Sequence, residues 1–258
     1  MENSSTSQIS PDWPTRWEPD AFAFWPTLLA ALGIVLVVVA VAALIAVVLG
    51  IYAALRHLPK AALQHLPVSA QLDLMGVLDL SVALYLALLL PVVAKAPLRA
   101  LGFRLPTLRD AGIALLGAIA MLVVVNGLAT LIESALHVKH EQEVVRMFAG
   151  IRTPLQRWLV TLFAVVIGPI GEEFVFRIFA FNALRRHWGF WGGAVTSGLL
   201  FGLAHADPYA FLPLAIGGMI LCGVYYLSRN AWASMLTHAL FNSVTVAAIF
   251  LAPHLLQK

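Results

Sequence analysis

Two adjacent glutamates and an arginine, Glu172, Glu173 and Arg177, stand inside a run from Trp158 to Leu184 that is otherwise apolar enough to cross a bilayer. Each charge at the centre of a spanning helix costs about 2.5–3.5 kcal/mol. Three charges together therefore suggest a site. On a helix, Glu173 and Arg177 are four residues apart, share a face and can pair. Glu172 lies about 100° round the helix from Glu173, at about 3.6 residues per turn, and is left for other work. Gly168, Pro169 and Gly171 come just before these residues. Proline removes a backbone donor and kinks a helix, and kinked backbone at membrane depth is tolerated only where it lines protein or a wet cavity. A Glu–Arg staple between helices is the purely structural alternative, and it leaves Glu172 unexplained.

Two later apolar segments also carry costly polar groups: His205, and then His238 with Asn242. His238 and Asn242 are one helical turn apart and point the same way. Helices joined by short connections usually neighbour one another, so the three segments can converge. Glu172, His205 and His238 with a water would be a familiar catalytic zinc set. The same groups can work without metal: Glu172 as general base on a water held by His205, with His238 and Asn242 on a developing oxyanion. In both versions water attacks an amide in a partly dehydrated cavity. Taken singly, each histidine reads as an interhelical hydrogen-bonding residue.

The elements that must position these groups follow from composition. The chain has 258 residues, 61% hydrophobic and 11% charged, against roughly 25% charged in soluble domains. This indicates an all-α, polytopic integral membrane protein, of about seven spans plus an interfacial amphipathic helix. Its net charge of +3 comes with no basic, aromatic-interleaved stripe, so no nucleic acid is implied. The single cysteine, Cys222, excludes an intrachain disulfide and a Cys-based zinc module. Residues 1–24 form a polar segment without the basic start and short apolar core of a signal peptide. Residues 25–133 hold the N-terminal spans, at 25–55, 71–94 and 111–132. Asp79 in the second reads as a structural polar contact, and Asn126 is the strongly polar residue of the third. Residues 134–157 form an interfacial connection in which Val144, Phe148, Ile151 and Leu155 recur at helical spacing, as on a surface helix. His137, His140, Glu141 and Glu143 read there as a solvated loop, not a metal site. Residues 158–252 form the core with four spans, 158–184, 189–206, 209–227 and 231–252. In it, Ala194, Gly198, Gly202 and Ala206 make a small-residue seam for close helix approach. The positive-inside rule puts the basic connections 95–109 and 185–187 in the cytoplasm.

Glu172-Glu173-Phe-Val-Phe-Arg177, Phe201-Gly-Leu-Ala-His205 and His238-Ala-Leu-Phe-Asn242 resemble the three ordered motifs of the CAAX-processing and bacteriocin-processing intramembrane proteases. That family is similar to the Ras-converting prenyl-protein endopeptidase and to the Abi-type membrane proteins of bacteria. The resemblance runs from about Leu162 to Asn242. It implies an intramembrane endopeptidase in the prokaryotic plasma membrane, acting on a peptide or protein substrate, lipidated or membrane-proximal. It further implies Glu172 as the water-activating acid and His205 as its partner on the water or a metal ligand. His238 and Asn242 would bind the oxyanion or metal, and Glu173 and Arg177 would shape the site. Phe201 is expected to pack against it. The cofactor is then a Zn2+ ion on Glu172, His205 and His238, or none if the carboxylate alone activates the water. Two other classes are open: a non-catalytic scaffold or immunity protein that keeps the motifs for folding, and a proton-coupled transporter with the acids and histidines as a relay.

Overall fold

The computed structural model describes residues 20–57, 59, 68–138, 148, 151 and 153–251. The polar segment before residue 20 lies outside them, as does most of the expected surface helix with Val144, His140, Glu141 and Glu143.

Six helices are long and apolar enough to cross a membrane: α1 (Phe24–Leu55), α2 (Val68–Ala94), α3 (Leu108–Leu136), α4 (Pro154–Ala204), α5 (Phe211–Ser228) and α6 (Ala231–Leu251). The chain is a multi-pass helical membrane protein. The expected spans 158–184 and 189–206 are the two arms of α4, whose 51 residues would extend about 75 Å if straight, more than twice a bilayer core. They are not straight: Gly189 has φ 68° and ψ −175°, a conformation that glycine adopts without a side-chain penalty. The six helices thus supply about seven crossings.

The α4 start is earlier than hydropathy suggests. Thr153 caps it, its hydroxyl accepting from Gln156 N–H at 3.3 Å, with Pro154 in the first turn. Leu155 is therefore an exposed residue of α4 rather than part of a surface helix, whereas Phe148 and Ile151 are buried against Val160, Val246 and Ile249.

One end of the bundle is tied by polar contacts. Arg104 donates to both oxygens of Asp110 at 2.9 Å and to the Ser228 carbonyl at 2.8 Å, while Asn230 adds a bond to Asp110 at 3.2 Å. Thr107 and Asp110 form a capping box at the start of α3. Arg185 lies over the ring of Tyr226, so the basic connections 95–109 and 185–187 occupy this same end, as one sidedness requires. The start of the described chain is held here too, by a Lys95–Asp20 ion pair, by Phe22 N–H donating to Val93 at 2.8 Å and by His187 Nε2 at 3.1 Å from the Phe22 carbonyl.

The distal arm of α4 and α5 pack backbone to backbone. A Cβ on Gly198 or Gly202 would fall 2.5 Å from the carbonyl of Ala215 or Phe211. The small-residue seam works as expected at Gly198 and Gly202, whereas Ala206 lies past the helix end, exposed and with φ 52°; the packing sets Phe201, on the same arm, against the proximal arm with the acids.

Candidate active site

The acids sit on a short α-helical turn, Gly168–Glu173, between two π-helical turns, Phe163–Ile167 and Phe174–Phe181. Such turns insert a residue into the helix and are frequent at functional sites. Glu173 and Arg177 are both 1% exposed, with Arg177 Nη1 3.2 Å from Glu173 Oε1; the four-residue spacing pairs them as read. The rest of the guanidinium finds no hydrogen-bond acceptor among the described residues. It stacks instead on Phe201, its central carbon 4.3 Å from the ring centroid, a cation–π contact strengthened by burial.

Two residues of α6 complete the environment of Glu173. Ser234 donates to Oε2, and His238 Nδ1 lies 3.1 Å from Oε1. A carboxylate only accepts, so Nδ1 carries the hydrogen and Nε2 is left facing outward. It faces Glu172: His238 Nε2 is 3.7 Å from Glu172 Oε2. That oxygen is buried and accepts no hydrogen bond among the described residues. The two neighbouring glutamates therefore differ in kind. Glu173 is buried and fully engaged, and Glu172 is half-buried with an oxygen in reserve.

His205 and Asn242 are placed differently from the expectation that all four polar groups meet. His205 ends α4, exposed, with Nδ1 donating to the Phe201 carbonyl at 2.8 Å. It pairs with neither glutamate among the described residues. Its link to the site is Phe201, whose ring is 4.7 Å from the His205 ring and 5.7 Å from that of His238, centroid to centroid. Phe201 packs against the site, as read. Asn242 is one turn beyond His238, but its amide donates to the Ala164 carbonyl at 2.7 Å.

A bound metal would need three protein donors around one point. His238 Nε2, oriented by a carboxylate on Nδ1, has the arrangement common to metal-binding imidazoles, and the unsatisfied Glu172 oxygen suits the same ion. His205 does not join them, and among the described residues no three His, Cys, Asp or Glu side chains come together as a metal's ligands would. As they stand, the residues fit two-thirds of a zinc site.

One contributor to the site escaped the sequence reading. Ser234 belongs to the stripe Ser234, His238, Asn242, whose fourfold spacing puts all three on one face; that spacing was the available signal. Asp79 of α2, read as a structural polar contact, has its Cβ and backbone against Gly171, the residue before Glu172. Nothing local to Asp79 announces this contact.

Residues 154–244 match the family described as Type II CAAX prenyl endopeptidase Rce1-like. The chain is 28% identical over 88 residues to the putative membrane peptidase YdiL of Bacillus subtilis, an alignment covering 34% of this chain and 36% of that one. It is 36% identical over 103 residues to the membrane-embedded CAAX protease MroQ of Staphylococcus aureus, covering 37% and 41%. The chain thus spans only about two fifths of the length of either curated relative. No solved structure matches it. The matched stretch contains all three motifs, from Glu172 to Asn242, so the family match and the motif resemblance fall on the same residues.

Proposed function

We propose that this protein is an intramembrane endopeptidase of a prokaryotic plasma membrane, in which Glu172 activates the water that hydrolyses a peptide bond. The observation that carries the reading is the buried Oε2 of Glu172, unsatisfied among the described residues and 3.7 Å from an imidazole that Glu173, itself bonded by Ser234, holds in place. Atoms 3.7 Å apart can both contact one water at about 2.8 Å. Glu172 removes a proton from that water as its oxygen bonds to the scissile carbonyl carbon. His238, with its hydrogen on Nδ1, accepts the water's second hydrogen at Nε2 and so aims the attacking oxygen. Collapse breaks the C–N bond, and Glu172 returns its proton to the leaving nitrogen. His205 has Nε2 free, because Nδ1 is committed to Phe201, and accepts from the water or from the incoming peptide at the open edge of the site. Glu173 and Arg177 shape the floor.

A zinc ion on Glu172, His238 and an approaching His205 is the alternative assignment of the same residues. It would supply Lewis-acid activation of the water. The prenyl endopeptidase family that residues 154–244 match suggests an apolar or lipidated peptide near the membrane surface as the substrate class.

The test is turnover of a quenched peptide panel by purified parent, Glu172→Gln and His205→Ala. Loss of a general base is expected to lower kcat by about 10²–10⁴-fold. Equal turnover by all three would end the assignment. In cells, a scaffold or immunity role predicts that Glu172→Gln keeps function, and the protease role predicts that it is lost.

A further inference from the structure

Pro169 lies in the turn that carries both glutamates, and proline has no amide hydrogen. Just before it the helix runs in a five-residue register, with Gly168 N–H reaching back to the Phe163 carbonyl. The next amide in that register would reach Ala164, but its position is held by Pro169. The carbonyl so left open is not orphaned: Asn242 of α6 donates to it at 2.7 Å. A carbonyl only accepts, so the side-chain nitrogen must face Ala164.

We propose that Asn242 is a positioning residue that supplies the hydrogen bond Pro169 cannot, closing the π-helical register and thereby setting the rotation of the turn that carries Glu172. The alternative register for the same chain is an ordinary α-helix, reached by dropping one residue from the turn. That shift would rotate everything downstream by about 100°, enough to turn Glu172 away from His238 Nε2. An unsatisfied half-buried carbonyl at membrane depth favours the shift; the Asn242 amide opposes it. This role differs from an oxyanion donor, which would act on the substrate itself.

The activity arm of the test rests on the protease reading, and the unfolding arm does not. In Asn242→Ala the Ala164 carbonyl loses its donor. In the double variant Pro169→Ala/Asn242→Ala, the backbone amide restored at position 169 can reach it in the existing register. Thermal unfolding of purified protein should show Asn242→Ala lower by roughly 2–4 °C, with the double variant returned to the level of Pro169→Ala alone. Under the protease reading, kcat per folded enzyme should fall at least tenfold in Asn242→Ala with KM little changed, and recover in the double variant to within a few-fold of Pro169→Ala. If Asn242→Ala does not fold, Asn242→Leu keeps the volume and replaces it in both arms; folding restored by Pro169→Ala then counts for the proposal. Absence of thermal coupling between positions 169 and 242 overturns it, whether or not peptidase activity is found. Thermal recovery without recovery of kcat also overturns it, because Asn242 would then act on the reacting groups. A parent with no turnover in the panel, beside intact thermal coupling, counts against the protease reading alone.

Discussion

Glu173 has two tasks in this structure, balancing a buried cation and orienting an imidazole, and replacement by methionine separates them. Glu173→Met removes the carboxylate that lies 3.2 Å from Arg177, with both side chains 1% exposed. Breaking a buried pair from one side costs about 3–5 kcal/mol, because the remaining charge is uncompensated. At about 2–4 °C per kcal/mol for a chain near this size, the loss is on the order of 10 °C in Tm. Glu173→Met/Arg177→Met removes the stranded charge as well, and well-packed apolar replacements of ion pairs are often neutral or stabilising. Most of the thermal loss should therefore return. Ser234 does not reverse this, since its hydroxyl also lies 3.4 Å from the Leu221 carbonyl. Turnover should not return. Without Glu173 Oε1, nothing fixes the hydrogen on His238 Nδ1, and losing such an outer partner costs about 10–100-fold. Differential scanning of the purified variants with kcat from the peptide assay supplies both numbers. A double variant as active as the parent would refute the orienting task and leave Glu173 as a counter-charge.

Gly171→Ala tests the contact between α2 and the acidic turn. Its Cβ would lie 2.7 Å from Asp79 Cβ and 3.2 Å from the Asp79 Cα and carbonyl oxygen, so α2 must move, at about 1–3 kcal/mol, and turnover should fall with Tm. Gly112→Ala and Gly127→Ala on α3, where a Cβ meets nothing within 4 Å, are the controls and should leave Tm unchanged or slightly raised. Metal removal separates the two versions of the chemistry. Under the carboxylate mechanism, chelator-treated protein shown to be metal-free keeps full turnover; activity lost to chelator and regained with zinc would transfer the water to the metal.

The spans were legible because hydropathy reports solvent, and the exposed surface of α1 between Leu28 and Val48 is entirely Leu, Val and Ala. The Glu173–Arg177 pair was legible because helical spacing survives the π turn that begins at Phe174. What escaped has a common cause. The Ala164 acceptor is a backbone group, and every residue has one, so no residue type marks it. Asp79 meets Gly171 across 92 positions of chain, and only packing brings them together. His205 was expected to meet the carboxylates because helices joined by short connections usually neighbour one another; its fourfold spacing from Phe201 instead lets Nδ1 bond back to the Phe201 carbonyl, which holds the ring at the helix end.

Two identical neighbouring residues have become different reagents here, and the helix geometry explains how. A step of one residue turns the side chain through about 100°. For Glu173 that direction leads to Arg177, Ser234 and His238, and both oxygens are engaged. For Glu172 it leads to the edge of the same imidazole, and one buried oxygen has no hydrogen bond among the described residues. A buried acceptor left open costs stability, since charged groups lose more than neutral ones when desolvated without a partner. A purely structural role would favour satisfying that oxygen with a donor such as the serine given to Glu173. Keeping it open is useful only if something else docks there, and a general base needs an accessible lone pair where the reacting proton arrives. Under the proposed mechanism the open oxygen, more than the charge that Glu173 shares, marks Glu172 as the base.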